Sequence, residues 1–409
     1  MEYNYTSASF SMHGEQTISP APPPADPIPT YQPNRPDSYY PSALNVFERI
    51  WHDRYHFLLQ KGLELRPRYR PGWTPSWLNT KEEFLLSEDS LEQPFPQVMD
   101  AKRMKDGIAV CLKAVYRTPK EAEIAKYLCS PELSQEPANH SVPILDVFRD
   151  PSTPDFEYLV MPLLRPFDDP EFQAIGEVVD FVTQILEGLT FMHSHNIAHG
   201  DCTGANIMMD ARPIYPQGWH FKANVCAPDG VTFVTPLARI DHPVRYYFID
   251  YGVSHHFLPG QSRLVLDWGG RDADVPELKK LQPYDPFKVD VFTVGNVFLK
   301  DFYQVSAPLY HLPCQLTILT VPEKYLGLGF LADLIKFMMH EDPAKRPSCQ
   351  IALEKWCRIK GGLNPTTARW RLRKPDETVG ERVVLDAIAA ARHGIHSLTH
   401  LFNEDARTW

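Results

Sequence analysis

Between His199 and Asn206 the chain reads His199-Gly200-Asp201-Cys202-Thr203-Gly204-Ala205-Asn206, an acid two residues after a histidine and an amide five residues after the acid. An aspartate so placed can orient a hydroxyl nucleophile, and an asparagine oxygen can help hold a metal on a phosphate. Asp and Asn are common loop residues, so this spacing alone is a moderate signal. Asp250-Tyr251-Gly252 is a second candidate, an acid just past the apolar run Tyr246–Ile249. It suits a metal held against a phosphate, or equally an Asp-x-Gly turn. Lys113 is the third, a lone cation closing Val110-Cys111-Leu112. A buried ammonium needs a partner, whereas one at a strand end can snorkel to the surface.

These residues need elements to carry them. Ile175, Val178, Val179, Val182, Ile185, Leu186, Leu189 and Met192 form one wide apolar stripe, which predicts a helix over Ile175–Ser194 delivering the chain to His199. Gln97–Ala101 and Ile108–Tyr116, around Lys105-Asp106-Gly107, read as a hairpin that presents Lys113. Thr118-Pro119-Lys120-Glu121 is a capping box opening a helix, with Glu121, Ile124 and Leu128 on one face. Glu121 is thus the better candidate to meet Lys113, although capping competes for it. Strands are expected over Val142–Phe148 and Tyr158–Met161, and Pro162–Pro166 reads as a short connector. Residues 211–243 look like an inserted loop. His193 and His195 close the long helix with no Cys or Asp cluster beside them, so a structural role is expected.

The flanks divide by composition. Residues 1–42 are rich in Pro, Ser and Tyr and read as a disordered tail; from Ser42 a helical pattern begins at Leu44, Phe47, Ile50 and Trp51. Pro67, Pro71 and Pro75 make the following stretch a rigid connector, and the whole extension, 43–96, should pack on the domain that follows. After residue 357 come Arg369, Arg371, Arg373 and Lys374, expected to be solvated or acid-paired, then an apolar-periodic helix from Glu381 to Leu401 expected to dock on the main domain. A net charge of -10 over 409 residues argues against a general nucleic-acid binder. Seven scattered cysteines without a C-x-x-C pair point to reduced thiols in the cytosol or nucleus, and no apolar run suggests a membrane span or leader peptide.

In order along the chain, these fragments resemble a eukaryotic-type protein kinase domain over roughly 97–357. The resemblance implies an α+β, two-lobed fold: a small β-rich N-lobe with its hinge (97–165) and a larger helical C-lobe (166–357). It implies that ATP and Mg²⁺ are used and that the partner is a protein substrate. Lys113 would hold the nucleotide phosphates with Glu121 as its helix partner. Met161 would be the gatekeeper, with Pro162 and Leu164 in the adenine-binding hinge. Asp201 would act as base, and Asn206 and Asp250 as metal ligands. Val275-Pro276-Glu277 resembles the A-P-E element, Asp290 the buried acid that braces the catalytic loop, and Arg346 the partner of that Glu. The Pro-rich leader, Leu163-Leu164-Arg165, Tyr284–Asp290 and Trp370–Arg373 resemble more closely a kinase-like family expanded in basidiomycete fungi.

The chain departs from the kinase pattern in four places. No G-x-G-x-x-G precedes Lys113, Thr203 stands where Ser/Thr kinases have Lys, Gly200 replaces the usual Arg, and the gap from Asn206 to Asp250 is long. The first two leave a non-catalytic binding module as the alternative. His-Gly-Asp also occurs in small-molecule phosphotransferases of the aminoglycoside or choline kinase type, a third reading.

Overall fold

Alternation along the Lys113 strand decides which side chains share a face of the sheet. The computed structural model describes residues 42–79, 84–93, 95–116, 120–266, 269–280, 282–303 and 324–391. The expected tail therefore lies almost wholly outside the described residues, as do Thr118, Pro119 and the chain beyond Ala391. α1 (Val46–His52) and α2 (Tyr55–Gln60) lead into β1 (Leu63–Glu64). β2 (Val98–Arg103) and β3 (Ala109–Tyr116) form the expected hairpin, followed by α3 (Glu121–Leu128), β4 (Asp146–Arg149) and β5 (Phe156–Pro162). These strands make a five-stranded antiparallel sheet in the order β1-β2-β3-β5-β4.

Val110 and Leu112 pack with Trp51, Tyr55, Leu58, Met99 and Tyr158, so the N-terminal extension covers one face of the sheet. Each such buried apolar side chain contributes about 1.5–3 kcal/mol. Cys111 and Val115 turn the other way, toward α3 and the main core, and Lys113 shares their face by the period-two rule. The single helical pattern expected from Ser42 is in fact two short helices. Asn45 caps α1, accepting from Phe47 N and Glu48 N while the Glu48 side chain accepts from Asn45 N. Glu48 is then buried against Arg68, Nε to Oε1 at 2.7 Å, which fixes the proline-rich connector beneath the extension.

β6 (Arg165–Pro166) precedes the long helix α4, which spans Ile175–Ser194 as expected. β7 (Ile197–Ala198) enters the His199 loop, β8 (Ile207–Asp210) leaves it, and β9 (Arg245–Phe248) and β10 (His255–His256) bracket Asp250. β6-β8-β9 form one small sheet and β7-β10 another. α5 (Pro286–Phe298), α6 (Ala332–Met338) and α7 (Cys349–Gly361) pack around α4 in the main core. The result is a mixed helix-and-sheet chain, its larger antiparallel sheet built early in the sequence and its longer helices later.

One expectation needs correction and two are sharpened. The strand expected over Val142–Phe148 begins only at Asp146; Val142 N instead donates to the Phe248 carbonyl, tying this segment to β9. Pro162–Pro166, expected as a short connector, is anchored, because β6 pairs with β8 and the buried Arg165 guanidinium donates to the Asn224 carbonyl and stacks on Tyr215. Of the helix expected to Leu401 only 379–391 lies within the described residues, and there it makes little apolar contact: Val379 is 77% exposed and Val383 65%. Ion pairs from Arg371 and Arg373 to Asp386 tether it instead. Arg369 meets Asp241 and Lys374 meets Glu171, so the basic cluster is acid-paired as expected.

Residues 211–243 contain no helix or strand longer than an isolated bridge. They are nonetheless anchored, with Ile214, Tyr215 and Trp219 buried and His220 Nε2 at 3.1 Å from Glu88 of the extension. His220 Nδ1 accepts from Lys222 N and Ala223 N, which leaves the proton on Nε2 to donate to Glu88.

Candidate active site

Two clusters assemble the candidate residues, and the first is ionic. Lys113, in the middle of β3, places Nζ 2.5 Å from Glu121 Oε1 and 2.9 Å from Asp250 Oδ1. The capping box that competed for Glu121 rests on Thr118 and Pro119, outside the described residues; Lys120 is the N-cap residue and makes no side-chain cap bond. Glu121 lies in the first turn of α3 and faces the lysine. Burial works against the Lys113 ammonium, but the two carboxylates outweigh it and raise its pKa. Burial also lifts Glu121; Lys113 pulls it back, and the like charge of Asp250 adds to the rise. Burial would lift Asp250 as well, yet Lys113 dominates and holds it below the usual carboxylate range. One ammonium thus serves two carboxylates.

Asp250 reaches this position through a left-handed backbone, φ 67°, which Asp tolerates better than most residues. Tyr251, which follows it, is buried and donates its hydroxyl to the Phe248 carbonyl. Met161 lies in β5 opposite Cys111, Pro162 ends the same strand opposite Val110, and Leu164 is buried in the main core.

The second cluster is the His199–Asn206 loop, organised by one buried acid. Asp290 on α5, fully buried, accepts from His199 N and Gly200 N at 2.8 Å each and lies 3.0 Å from His193 Nε2. His193 is therefore structural, as is His195, whose Nδ1 contacts its own helix at the Phe191 carbonyl. Gly200 sits at φ 82°, and a Cβ there would meet the Val253 carbonyl oxygen at 2.5 Å. Its identity is thus a backbone requirement. His199 Nδ1 accepts from Asp201 N, so the proton on Nε2 is directed at the Ile249 carbonyl, 3.0 Å away.

Within that frame Asn206 Nδ2 donates to Asp201 Oδ2 at 2.8 Å and to the Asp201 carbonyl at 2.9 Å. The β8–β9 pairing joins the clusters, because Ile249 N donates to the Asn206 carbonyl one residue before Asp250. Asn206 and Asp250 offer an amide and a carboxylate oxygen, donors suited to Mg²⁺, which takes one or two protein ligands beside phosphate and water. Among the described residues no group of three or more His, Cys, Asp or Glu forms a metal cage.

Sequence reasoning missed Arg271. Its Nε donates to Asp201 Oδ2 and its backbone N to Asp201 Oδ1, each at 2.8 Å, while an outer guanidinium nitrogen donates to Asn206 Oδ1 at 2.6 Å. Only the preceding Gly269-Gly270 hinted at a tight approach. A Cβ at 270 would meet the Gly200 carbonyl oxygen at 2.3 Å and Asp201 Oδ1 at 2.7 Å. Farther out, Arg346 embraces Glu277 with Nη1–Oε1 at 2.5 Å and Nη2–Oε2 at 2.7 Å, the pair that the resemblance implied. No protein-family model matches the chain. Among the described residues no helix is long and apolar enough to cross a membrane.

Proposed function

We propose that the chain is an ATP- and Mg²⁺-dependent protein kinase that transfers the γ-phosphate to a protein hydroxyl, of Ser or Thr. In this reading the five-stranded sheet with α3 is the small N-lobe, α4 to α7 form the C-lobe, and Met161–Leu164 is the hinge. One observation carries it: the strand lysine, Lys113, meets Glu121 and Asp250, while Asp201 and Asn206 bond to each other on the adjoining loop. Such chemistry needs little covalent work and much positioning. Lys113 engages the α- and β-phosphates, and Asp201 orients the acceptor hydroxyl and takes its proton. Asn206 and Asp250 would hold Mg²⁺, which when bound neutralises charge on the phosphates. The Asp290 brace keeps the loop from rearranging as charge develops.

A non-catalytic nucleotide-binding module is the second reading. It is favoured by the absence of a Gly-rich loop and by Asp201, whose carboxylate already accepts three hydrogen bonds. The Glu277–Arg346 pair and the Asp290 brace weigh against a small-molecule phosphotransferase, since they resemble parts of the protein-kinase C-lobe. Mg²⁺-ATP binding and phosphoryl transfer, compared for the natural protein and Asp201→Asn, separate these readings. Transfer lost by at least ~10³-fold with binding kept is expected, since catalytic groups act as a unit. Binding without transfer in the natural protein would favour the module.

A further inference from the structure

Phosphoryl transfer gathers negative charge beside the base, and the loop itself provides no cation there. Thr203, two residues after Asp201, is uncharged, and its Oγ1 is buried with no hydrogen-bond partner among the described residues. Arg271 is the basic side chain that pairs with Asp201. We propose that Arg271, reaching in from the segment before Glu277, supplies the positive charge at the transferring phosphoryl group that Thr203 cannot. This inference rests on the kinase reading above.

The geometry is that of a preorganised donor. Backbone N and Nε of one residue grip both oxygens of one carboxylate, so the guanidinium is fixed at both ends of its side chain. Asp201 retains 8% of its side-chain exposure and Arg271 41%, so an anion arriving at the base meets the guanidinium. The planar fork can take a phosphate oxygen while still bonded to the acid. If Asn206 Oδ1 held a metal, it would give up its one hydrogen bond from Arg271, and the two that Arg271 makes to Asp201 involve other atoms. Gly270 permits this approach, because any side chain there would collide with Asp201.

In the step itself a bond from the acceptor oxygen to Pγ forms and the bond from Pγ to the β-bridging oxygen breaks. ADP leaves with the electron pair, and the hydroxyl proton passes to Asp201. Arg271 exchanges no proton; it stabilises charge on the equatorial oxygens.

The test uses the full chain, with autophosphorylation and ATP hydrolysis as rate readouts and calorimetric Mg²⁺-ATP affinity and melting temperature as independent ones. Arg271→Ala should lower kcat by on the order of 10²–10³-fold, the usual cost of one lost donor, with nucleotide affinity and melting little changed. Arg271→Lys should retain part of the rate, and adding Thr203→Lys to Arg271→Ala should recover at least ~10-fold of it. An Arg271→Ala protein as fast as the natural one, or faster, would overturn the proposal, as would a rate loss that follows unfolding and that Thr203→Lys does not restore. A natural protein that binds or transfers nothing overturns the kinase reading, and this proposal with it. An active natural protein with an indifferent Arg271→Ala overturns this proposal alone.

Discussion

The two halves of the candidate site are held by different physics. Around Lys113 the contacts are ionic, made by side chains from three separate elements, and Asp250 stays 43% exposed. Around Asp201 the backbone itself is fastened, because the fully buried Asp290 accepts two main-chain N–H groups. The cluster is open to water only at Asp250, where partners can exchange, and in the kinase reading Lys113 would leave that carboxylate for a phosphate. A loop whose amides are spent on a buried acid keeps its shape whatever binds. One half is built to rearrange and the other to stay.

The comparison can be broken first at the rigid half. Asp290→Ala orphans two buried N–H groups, and a loss of about 3–5 kcal/mol in denaturant unfolding is expected, with transfer abolished. A stable Asp290→Ala protein would mean that the loop is held elsewhere. On the ionic half, Lys113→Met should cost less, about 1–3 kcal/mol at pH 7, while transfer falls by ~10²-fold or more. The sign of its pH dependence is diagnostic. Without the ammonium, both carboxyls titrate higher in the folded state than unfolded, so the penalty is largest at pH 7 and shrinks as pH falls and they protonate. A penalty independent of pH would remove the shared-ammonium picture.

A smaller effect tests the junction between the sheet and the helices. His140 is buried, with Nδ1 at 2.8 Å from the Tyr246 carbonyl, and burial pushes its pKa down to about 4. The group therefore favours folding fully above pH 6.5, and its contribution disappears as pH falls toward 4. His140→Asn should flatten acid unfolding across that window, by up to about 3 kcal/mol. The smallest expectation is no change: phosphatase treatment should leave activity intact, since Gly200 cannot pair with a phosphate and its backbone admits no arginine. Activity lost on dephosphorylation would contradict this.

Most of the site was legible because its parts follow local rules. Lys113 interrupts an apolar strand, α4 is a stripe of period 3.6, and Asp201 and Asn206 stand at fixed spacing on one loop. Asp290 and Arg346 were found as motif fragments, and Arg346 meets Glu277 as those fragments implied. The extension was read as packing on the domain, although Asn45 as the cap and Glu48 against Arg68 as the buried pair went unnoticed.

What the tertiary structure alone decided are contacts between residues far apart in the chain. Arg271 lies 70 residues from Asp201, in a segment with no periodicity, and nothing local marks which carboxylate it will meet. Gly200 read as a lost arginine until its positive φ and the Val253 carbonyl gave the backbone reason. The described part of the last helix, 379–391, keeps its apolar side chains exposed, because an apolar pattern carries no address, and ion pairs to Asp386 hold it. The sequence by itself determined that Asp201 and Asn206 share one loop, because they stand five residues apart, while Asp290 as its brace was implied only by the resemblance to kinases. Which cation would stand beside Asp201 was left to the fold, because charge pairing acts through space.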